Sequence, residues 1–509
     1  MNIAQHVERG HHFFPNKTAL IFEERSFTYK ELNEISNRVA NALRKLGIER
    51  GERVALLLPN IPEFIFSYLG ILKIGAIAVS LNFNLQKNEV KFILHDCSVK
   101  VLITTDSLSE NVPDSEIPDL KHILIAEGQA RVGTSLQDLI SNASPNACAL
   151  DMDCNDPAII IYTSGTTGFP KGAMLSHGNV ISNIDAANHC YQTKPEDRLL
   201  LYLPLFHCFG QNAILNAGLN SYATIILQRR FHPKQVLKSI ATDGITLFFG
   251  VPTIFIKLLN TDTSDYDLTS VRYYFTAAAP MPKEVIQKWQ SKYGMVIHEG
   301  YGLTETSPFS SYNHHLKYRF GSIGTPVKDV EMKIVNLNGE PVQPGEIGEI
   351  VVRGPNVMLG YWNRPGETAQ VLKNGWFHTG DLGQMDSDGY FYIVDRLKDM
   401  INVFGLKVYP SEVENVIYQH PAVAECAVYG DSHPIKGEIV KTKIVLKPGE
   451  TVTKEQIITF CSKRIANYKI PRVVEFIDSL PKSETGKILK KLLRQEATHN
   501  LSTARTVSV

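Results

Sequence analysis

Residues 162–179 read YTSGTTGFPKGAMLSHGN, and the apolar residues 158–161 directly before them predict a buried strand. Small residues of this kind provide hydroxyl and backbone N–H donors that can surround an anion. The donors are the hydroxyls of Thr163, Ser164, Thr166 and Thr167 and the flexible backbone at Gly165, Gly168 and Gly172. The stretch therefore predicts a phosphate-binding loop after a strand, with an ordinary Gly- and Ser-rich turn as the alternative.

Two further residues in the same run, Pro170 and Lys171, favour the phosphate interpretation over the turn. The spacing is not that of the Walker phosphate loop, GxxxxGK followed by Ser or Thr, which occurs nowhere in the chain. A different class of nucleotide enzyme is therefore indicated, and a second signature is needed to identify it.

That signature is spread over the rest of the chain. Residues 299–306 read EGYGLTET, 378–381 read HTGD, 395–412 read DRLKDMINVFGLKVYPSE and 481–488 read PKSETGKI. In order and spacing, these blocks and the opening loop resemble the adenylate-forming (AMP-binding) superfamily. The resemblance covers nearly the whole chain, and its acyl-CoA synthetase, or fatty acid-CoA ligase, members fit best.

The sequence pattern predicts an α/β fold. At 509 residues the chain exceeds the roughly 250–300 residues at which one core stops growing, so several domains are expected. Alternating strands and helices predict two helix-covered, mostly parallel sheets, and short strands over 321–392 predict a small β-barrel-like element. We expect an AMP-binding domain over 1–395, a hinge over 396–398, a smaller mobile α+β domain over 399–495 and a flexible tail over 496–509.

Local signals support this outline. Thr28 and Glu31 form a predicted capping box for a helix that Gly47 closes. The apolar run 64–83 is long enough to suggest a membrane span, but Lys73 and Gly75 interrupt it, so we predict a buried helix followed by a buried strand.

Composition limits the partners. Lys plus Arg and Asp plus Glu both total 52, so no overall field favours nucleic acid or an acidic membrane. The seven scattered cysteines argue against a disulfide framework, and the first residues lack the features of a secretory signal. We therefore expect a cytoplasmic enzyme with at most peripheral membrane contact, through the basic run near Lys487.

The resemblance assigns roles at the nucleotide site. It implies that Glu305 holds Mg2+, Thr304 contacts the α-phosphate and Tyr301 stacks on adenine, with Gly302 beside it. Residues 275–280, FTAAAP, correspond to the adenine-flanking strand end, so the resemblance implies that Ala278 and Ala279 also contact the nucleotide. The family often has glycine at the position of Ala277.

Four assigned residues keep competing interpretations. Asp381 resembles the ribose ligand but could be a turn residue after Gly380. Arg396 resembles the arginine that approaches ribose or phosphate, with a boundary salt bridge as the alternative. Lys487 resembles the adenylation lysine, which bridges the acid and the α-phosphate; by itself it is a solvated member of a basic run. Lys398 resembles the hinge and could equally be a surface lysine.

The remaining roles concern the acid and the thiol. His207, in LPLFHCFG, resembles the histidine that closes the acyl pocket, although a hydrogen-bonded core histidine fits the local sequence as well. Gly405 lies in the loop that the family presents to CoA. The expected reaction joins a carboxylic acid, preferably a medium- or long-chain fatty acid, to CoA with ATP and Mg2+. An aryl acid and an acyl carrier protein acceptor remain alternatives.

Overall fold

Two large sheets form most of the chain, each with parallel strands at its centre and antiparallel strands along at least one edge. The computed structural model describes residues 1–112, 117–163, 170–433, 437–483 and 488–494, and within these ranges the strands form four sheets. The first large sheet runs, from edge to edge, through Thr325–Pro326, Phe309–Tyr312, Ile297–Gly302, Tyr273–Thr276, Leu247–Gly250, Arg198–Leu201, Thr224–Leu227, Thr18–Phe22 and Arg25–Thr28. The second runs through Gly360–Tyr361, Lys171–Ser176, Pro157–Thr163, Ile77–Ser80, Arg53–Leu57, Val101–Thr104, His122–Ile125 and Thr134–Ser135.

Helices cover these sheets, as the alternating sequence pattern predicts. The longer ones are Gln5–Phe13, Tyr29–Lys45, Pro62–Lys73, Lys87–Asp96, His177–Tyr191, Pro233–Asp243, Pro252–Leu259 and Lys283–Tyr293. The shorter ones are Leu136–Ser141, Ala217–Asn220 and Pro365–Val371, and Phe209–Asn216 forms a π-helix. The predicted class, a mixed α/β fold built on mostly parallel sheets, is confirmed.

The local predictions in the first hundred residues are also confirmed. Thr28 accepts a hydrogen bond from the backbone of Glu31, and the Glu31 side chain accepts one from Thr28, so the capping box begins the helix Tyr29–Lys45. Residues 64–83 form the buried helix Pro62–Lys73 followed by the buried strand Ile77–Ser80. No helix within the described ranges is long and apolar enough to cross a bilayer.

A third, antiparallel sheet fills the predicted β-rich region. Its strands are Glu331–Val335, Gly348–Arg353, Trp376–Met385, Leu372–Lys373 and Phe391–Arg396. The last of them leads into the short 3₁₀ helix Leu397–Asp399, which occupies the predicted hinge. This sheet therefore connects the two large sheets to the C-terminal unit.

The C-terminal unit is an α+β arrangement with its own apolar core. Its strands are Leu406–Val408, Ile401–Val403, Gly437–Leu446, Val423–His433 and Val473–Phe476, and its helices are Pro410–Ile417 and Lys454–Ser462. Buried side chains from Ile401 to Val474 form a cluster separate from the core of the large sheets. The start of this unit is nevertheless fastened to the preceding sheet, because Ser411 N–H donates to Asp395 Oδ2 at 2.8 Å.

One buried ion pair explains how Lys73 fits inside the helix Pro62–Lys73. Its side chain is fully buried, and Nζ lies 2.5 Å from Glu8 Oε1 and 3.0 Å from Asn33 Oδ1. Glu8, in contrast, keeps a quarter of its side chain exposed (25%). Burial lowers the pKa of Lys73, and Glu8 opposes that effect.

We predict that Glu8→Gln lowers the free energy of unfolding by about 3 kcal/mol, because it leaves the Lys73 ammonium buried without its counter-charge. Lys73→Met should cost clearly less, since the freed Glu8 carboxylate can turn to water. Urea unfolding followed by circular dichroism measures both. The exposed i,i+4 pair of Glu284 and Lys288 gives the matched control, Glu284→Gln, with a loss below about 1 kcal/mol. An equal loss in Glu8→Gln and Glu284→Gln would contradict the prediction.

Candidate functional site

The opening motif forms the stem of a β-hairpin. Strands Pro157–Thr163 and Lys171–Ser176 pair antiparallel, with Thr163 opposite Lys171. Ser164, Gly165, Thr166, Thr167 and Gly168 lie outside the described residues. The sequence treated the motif as a single loop. Gly172, expected among its donors, lies instead in the returning strand, and the chain then enters the helix His177–Tyr191, capped by Ser176.

The EGYGLTET motif places Thr304 and Glu305 just beyond the strand Ile297–Gly302, in a 3₁₀ turn. Both residues are buried. The Thr304 hydroxyl lies 3.4 Å from Cys208 Sγ. Glu305 Oε1 accepts a hydrogen bond from the Tyr361 hydroxyl at 2.9 Å.

Burial raises the pKa of Glu305, while hydrogen bonds and the charge of Arg396 oppose that shift. A nearby cation would favour the ionised carboxylate in the same way. No group of three or more His, Cys, Asp or Glu side chains among the described residues is placed to hold a metal. Mg2+ commonly takes one or two carboxylates and completes its shell with water and substrate phosphates, so a single buried carboxylate fits it.

Asp381, Arg396 and Tyr301 form one connected group. Asp381 and Arg396 are cross-strand neighbours, and Arg396 Nε lies 3.1 Å from Asp381 Oδ1. The Tyr301 hydroxyl donates to Asp381 Oδ2 at 2.7 Å. Burial lowers the pKa of Arg396, but Asp381 and the other acidic groups around it together outweigh burial and raise that pKa.

This group bears on two open alternatives. Asp381 lies inside the strand Trp376–Met385, so the interpretation as a simple turn residue is wrong. The salt bridge proposed for Arg396 is present, and its contact with ribose or phosphate stays a prediction. A carboxylate has about four lone pairs, so Asp381 keeps acceptor capacity beyond its two present partners.

The adenine-flanking segment and Gly302 lie on adjacent strands. Tyr273–Thr276 pairs in parallel with Ile297–Gly302, so Ala278 and Ala279 follow a strand end next to Tyr301. Ala278 has φ +73°, a left-handed conformation that costs a non-glycine residue about 1 kcal/mol. The backbone position that favours glycine is therefore Ala278 rather than Ala277. At Gly302 a Cβ would lie 1.5 Å from the Pro308 carbonyl oxygen, so a larger residue cannot fit without moving the backbone.

His207 is held by its own neighbours in the LPLFHCFG motif. The Phe209 N–H donates to His207 Nδ1 at 3.2 Å, which favours the neutral form with its proton on Nε2. The neighbouring residue Cys208 contacts Thr304, so the LPLFHCFG motif and the EGYGLTET motif meet here. Burial raises the pKa of the Cys208 thiol to about 12, which makes it a packing group rather than a nucleophile.

The hinge and the C-terminal residues are placed further along the chain. Lys398 lies in the turn Leu397–Asp399, where burial and the charge of Arg396 lower its pKa. Gly405 has φ +82° at the exposed tip of the hairpin formed by Ile401–Val403 and Leu406–Val408. Lys487 lies outside the described residues.

Two side chains at this site received no role from the sequence. Tyr361 is 56 positions from Glu305, and nothing in the local pattern around it indicates a contact. Glu299 begins the EGYGLTET motif and is buried beside Thr276, its cross-strand partner. Burial raises its pKa to about 8, and its Oε1 has no hydrogen-bond partner within the described part of the chain. The position of Glu299 inside the EGYGLTET motif was a signal in the sequence that could have indicated a functional carboxyl.

Comparison with known proteins places this geometry in a family. The profile described as "AMP-binding enzyme" matches residues 7–362, and "AMP-binding enzyme C-terminal domain" matches 412–487. The chain is 37% identical to a long-chain-fatty-acid–CoA ligase of Bacillus subtilis (strain 168), over 96% of this chain and 93% of that protein. It is 38% identical to a feruloyl-CoA synthase of an Amycolatopsis species, over 94% and 96% of the two chains.

A solved structure agrees with the sequence comparisons. The crystal structure of an anthranilate CoA ligase in complex with anthranoyl-AMP superposes with a TM-score of 0.92 at 33% identity, covering 98% of this chain and 97% of that one. The similarity includes both the large sheets and the C-terminal unit. The chain therefore belongs to the AMP-binding, or adenylate-forming, enzyme family, in its acyl-CoA synthetase group.

Proposed function

We propose that this protein is an AMP-forming acid–CoA ligase that activates a fatty acid with ATP and transfers the acyl group to CoA. The observation that carries the proposal is the convergence of three distant motifs around Tyr301. Tyr301 bonds to Asp381, Asp381 pairs with Arg396, and the charge of Arg396 also acts on Glu305. The third sheet thus brings an acceptor suited to ribose hydroxyls to the strand end of the first large sheet that carries a carboxylate suited to a divalent cation.

In the first half-reaction, a substrate carboxylate oxygen attacks the α-phosphorus of ATP, and pyrophosphate leaves. Both reactants are anions, so the site has to offset negative charge in the transition state. Donors of the hairpin around Thr163 and Lys171 would hold the β- and γ-phosphates, and Thr304 would contact the α-phosphate. Glu305 would hold Mg2+, which supplies electrostatic neutralisation when bound. Lys487 would bridge the acid and the α-phosphate.

In the second half-reaction, the CoA thiol sulfur attacks the acyl carbonyl carbon, the thiol proton goes to water, and AMP leaves with the bonding electrons. We propose that the C-terminal unit rotates about Lys398 between the two steps. That motion would withdraw Lys487 and bring the Gly405 hairpin to the thiol. The exposed tip of this hairpin is compatible with such a role.

A fatty acid is the first candidate substrate, and the Bacillus subtilis relative supports it. An aryl acid is the second, favoured by the feruloyl-CoA synthase and the anthranilate CoA ligase at similar identity. Aromatic side chains pack together behind His207, which would suit either apolar acid. They are Phe209, Phe249, Phe275 and Phe309 together with Tyr191. We also propose a cytoplasmic location, which the seven free cysteines support.

A panel of acids tests the function and the substrate together. We expect ATP-dependent release of AMP with fatty acids of medium or long chain, and accumulation of acyl-CoA only when CoA is present. Acetate, ferulate and benzoate are the comparison acids, and phosphopantetheinylated carrier protein is the comparison acceptor. A higher kcat/KM for aryl acids than for fatty acids would make an aryl acid the preferred substrate. Absence of pyrophosphate exchange with every acid would refute the ligase function.

We predict that Lys487→Ala reduces adenylation by about 100-fold or more, because one charge that stabilises the transition state is lost. Thioester formation from a synthetic acyl adenylate and CoA should stay within about threefold of the unmodified enzyme. Lys491→Ala removes an exposed charge from the same basic run and serves as the control, with little effect on either step. Equal losses in both half-reactions would contradict the division of roles.

We predict that Asp381→Asn raises the KM for ATP by roughly 10- to 100-fold, since the carboxylate provides charged hydrogen bonds that an amide cannot replace. The KM for the acid should change little. Asp388→Asn, at an exposed position of the same sheet region, is the matched control. Initial rates at varied ATP and fixed acid give the answer. An unchanged KM for ATP would show that Asp381 does not bind the nucleotide.

A further inference from the structure

The segment 358–364 connects Glu305 to the hairpin of the opening motif. Met358 N–H donates to the Glu305 carbonyl at 2.8 Å, so the segment holds the backbone of Glu305. Leu359 N–H donates to the Met174 carbonyl at 2.9 Å, and Trp362 N–H donates to the Gly172 carbonyl at 2.7 Å. Glu305 and the returning strand of the hairpin are therefore fixed to one short piece of chain.

The side chain of Tyr361 lies between the two charged groups of the site. Its hydroxyl donates to Glu305 Oε1 at 2.9 Å, and its ring centroid lies 5.4 Å from Lys171 Nζ. Tyr361 itself is only partly buried, whereas Glu305 is buried. One aromatic residue thus contacts a carboxylate proposed to hold the cation and a lysine proposed to face the phosphates.

We propose that Tyr361 is a positioning residue that orients the Glu305 carboxylate for the divalent cation of the metal–nucleotide complex. This inference rests on the proposed ligase function, because it assumes that Glu305 meets Mg2+ there. The hydroxyl occupies one lone pair of Oε1, and the remaining lone pairs of the carboxylate stay available for a cation. Groups that hydrogen-bond to a metal-binding side chain commonly control its orientation and affinity in this way.

A neutral donor such as Tyr361 suits this position for an electrostatic reason. A buried carboxylate without a donor would pair with a nearby positive group, and the charge of Arg396 acts on Glu305. An ion pair formed in that way would consume both a cation ligand and a phosphate-facing charge. The neutral hydroxyl of Tyr361 satisfies Oε1 without adding charge. Its ring, placed against Lys171, keeps the lysine as a free positive group.

A second set of bonds fixes the segment before any ligand binds. The Asp96 carboxylate accepts from the Tyr162 hydroxyl at 2.6 Å and pairs with Arg364 at 2.7 Å. The Asp96 carbonyl accepts from the Trp362 indole N–H at 3.0 Å. Tyr162 belongs to the outgoing strand of the hairpin, so both strands of the hairpin are tied to the segment. Tyr361 is therefore held from both sides by contacts between protein groups, which restrict its orientation.

The test measures cation binding directly. Mn2+ replaces Mg2+, and electron paramagnetic resonance reports its affinity for the full-length protein in the presence of α,β-methylene ATP, which cannot be cleaved at the reacting bond. We expect Tyr361→Phe to weaken Mn2+ binding about tenfold, at the low end of the effect usual for such supporting residues. Affinity for the same analogue in EDTA, measured by calorimetry, should change less than about twofold because no cation is then involved.

Two further variants separate positioning from general damage. Glu305→Gln removes the group through which Tyr361 acts, so adding Tyr361→Phe to it should cause no further loss of analogue affinity in Mg2+. Tyr390→Phe removes the hydroxyl of another tyrosine, a buried one that donates to the Lys317 carbonyl, and should leave Mn2+ affinity unchanged. The phenylalanine in Tyr361→Phe keeps the ring, so the circular dichroism spectrum should match that of the unmodified protein.

Each result decides the inference. Normal Mn2+ affinity in Tyr361→Phe, an equal loss of analogue affinity in EDTA, or additive losses in the double variant would overturn it. If the unmodified protein binds neither Mn2+ with the analogue nor the analogue alone, the proposed function fails and the inference falls with it. If the unmodified protein binds both and only the predicted effect of Tyr361→Phe is missing, the inference alone fails.

Discussion

The site depends on keeping two buried carboxylates, those of Glu305 and Asp381, satisfied without neutralising them permanently. An ionised carboxylate inside a protein is costly unless hydrogen bonds and opposite charge accompany it. Here tyrosine hydroxyls supply part of the compensation, Tyr361 to Glu305 and Tyr301 to Asp381, and Arg396 supplies positive charge near both. Neutral donors occupy single lone pairs and leave the other lone pairs of both carboxylates open to further partners, such as a cation or ribose hydroxyls.

The fold brings these groups together by aligning strand ends. Parallel strands of the first large sheet place residues 277–279 and the EGYGLTET motif at one edge, where ligands commonly bind in open α/β sheets. The antiparallel strand Trp376–Met385 of the third sheet then brings Asp381 to Tyr301. The strand Gly360–Tyr361 extends the second large sheet and delivers Tyr361 to Glu305. Three sheets therefore contribute to one site, and each contributes through the end of a strand or a short pair.

The relatives show how one scaffold serves different acids. A long-chain-fatty-acid–CoA ligase and a feruloyl-CoA synthase resemble this chain to nearly the same degree, at 37% and 38% identity. The groups proposed to meet the nucleotide are polar, few and held by defined hydrogen bonds. The side chains proposed to meet the acid are apolar, and apolar packing discriminates weakly per methylene, by about 1–3 kcal/mol. Overall sequence similarity therefore predicts the reaction better than it predicts which acid is the substrate.

The sequence alone determined the features that depend on near neighbours along the chain. The capping box of Thr28 and Glu31 joins residues three positions apart, and the continuous apolar pattern of 64–83 is enough to predict a buried helix and strand. The distributed motifs likewise identified the family and most candidate residues. Local pattern was ambiguous at Gly172, which was expected among the loop donors and lies in the strand Lys171–Ser176 instead.

Only the tertiary structure decided the contacts between distant segments. Tyr361 reaches Glu305 across 56 positions, Asp96 joins the hairpin to segment 358–364, and Lys73 finds Glu8 inside the core. The physical reason is that periodicity and capping record the environment within about one turn or one strand. A hydrogen bond between buried side chains instead depends on the path of the whole backbone, which no local stretch of sequence contains.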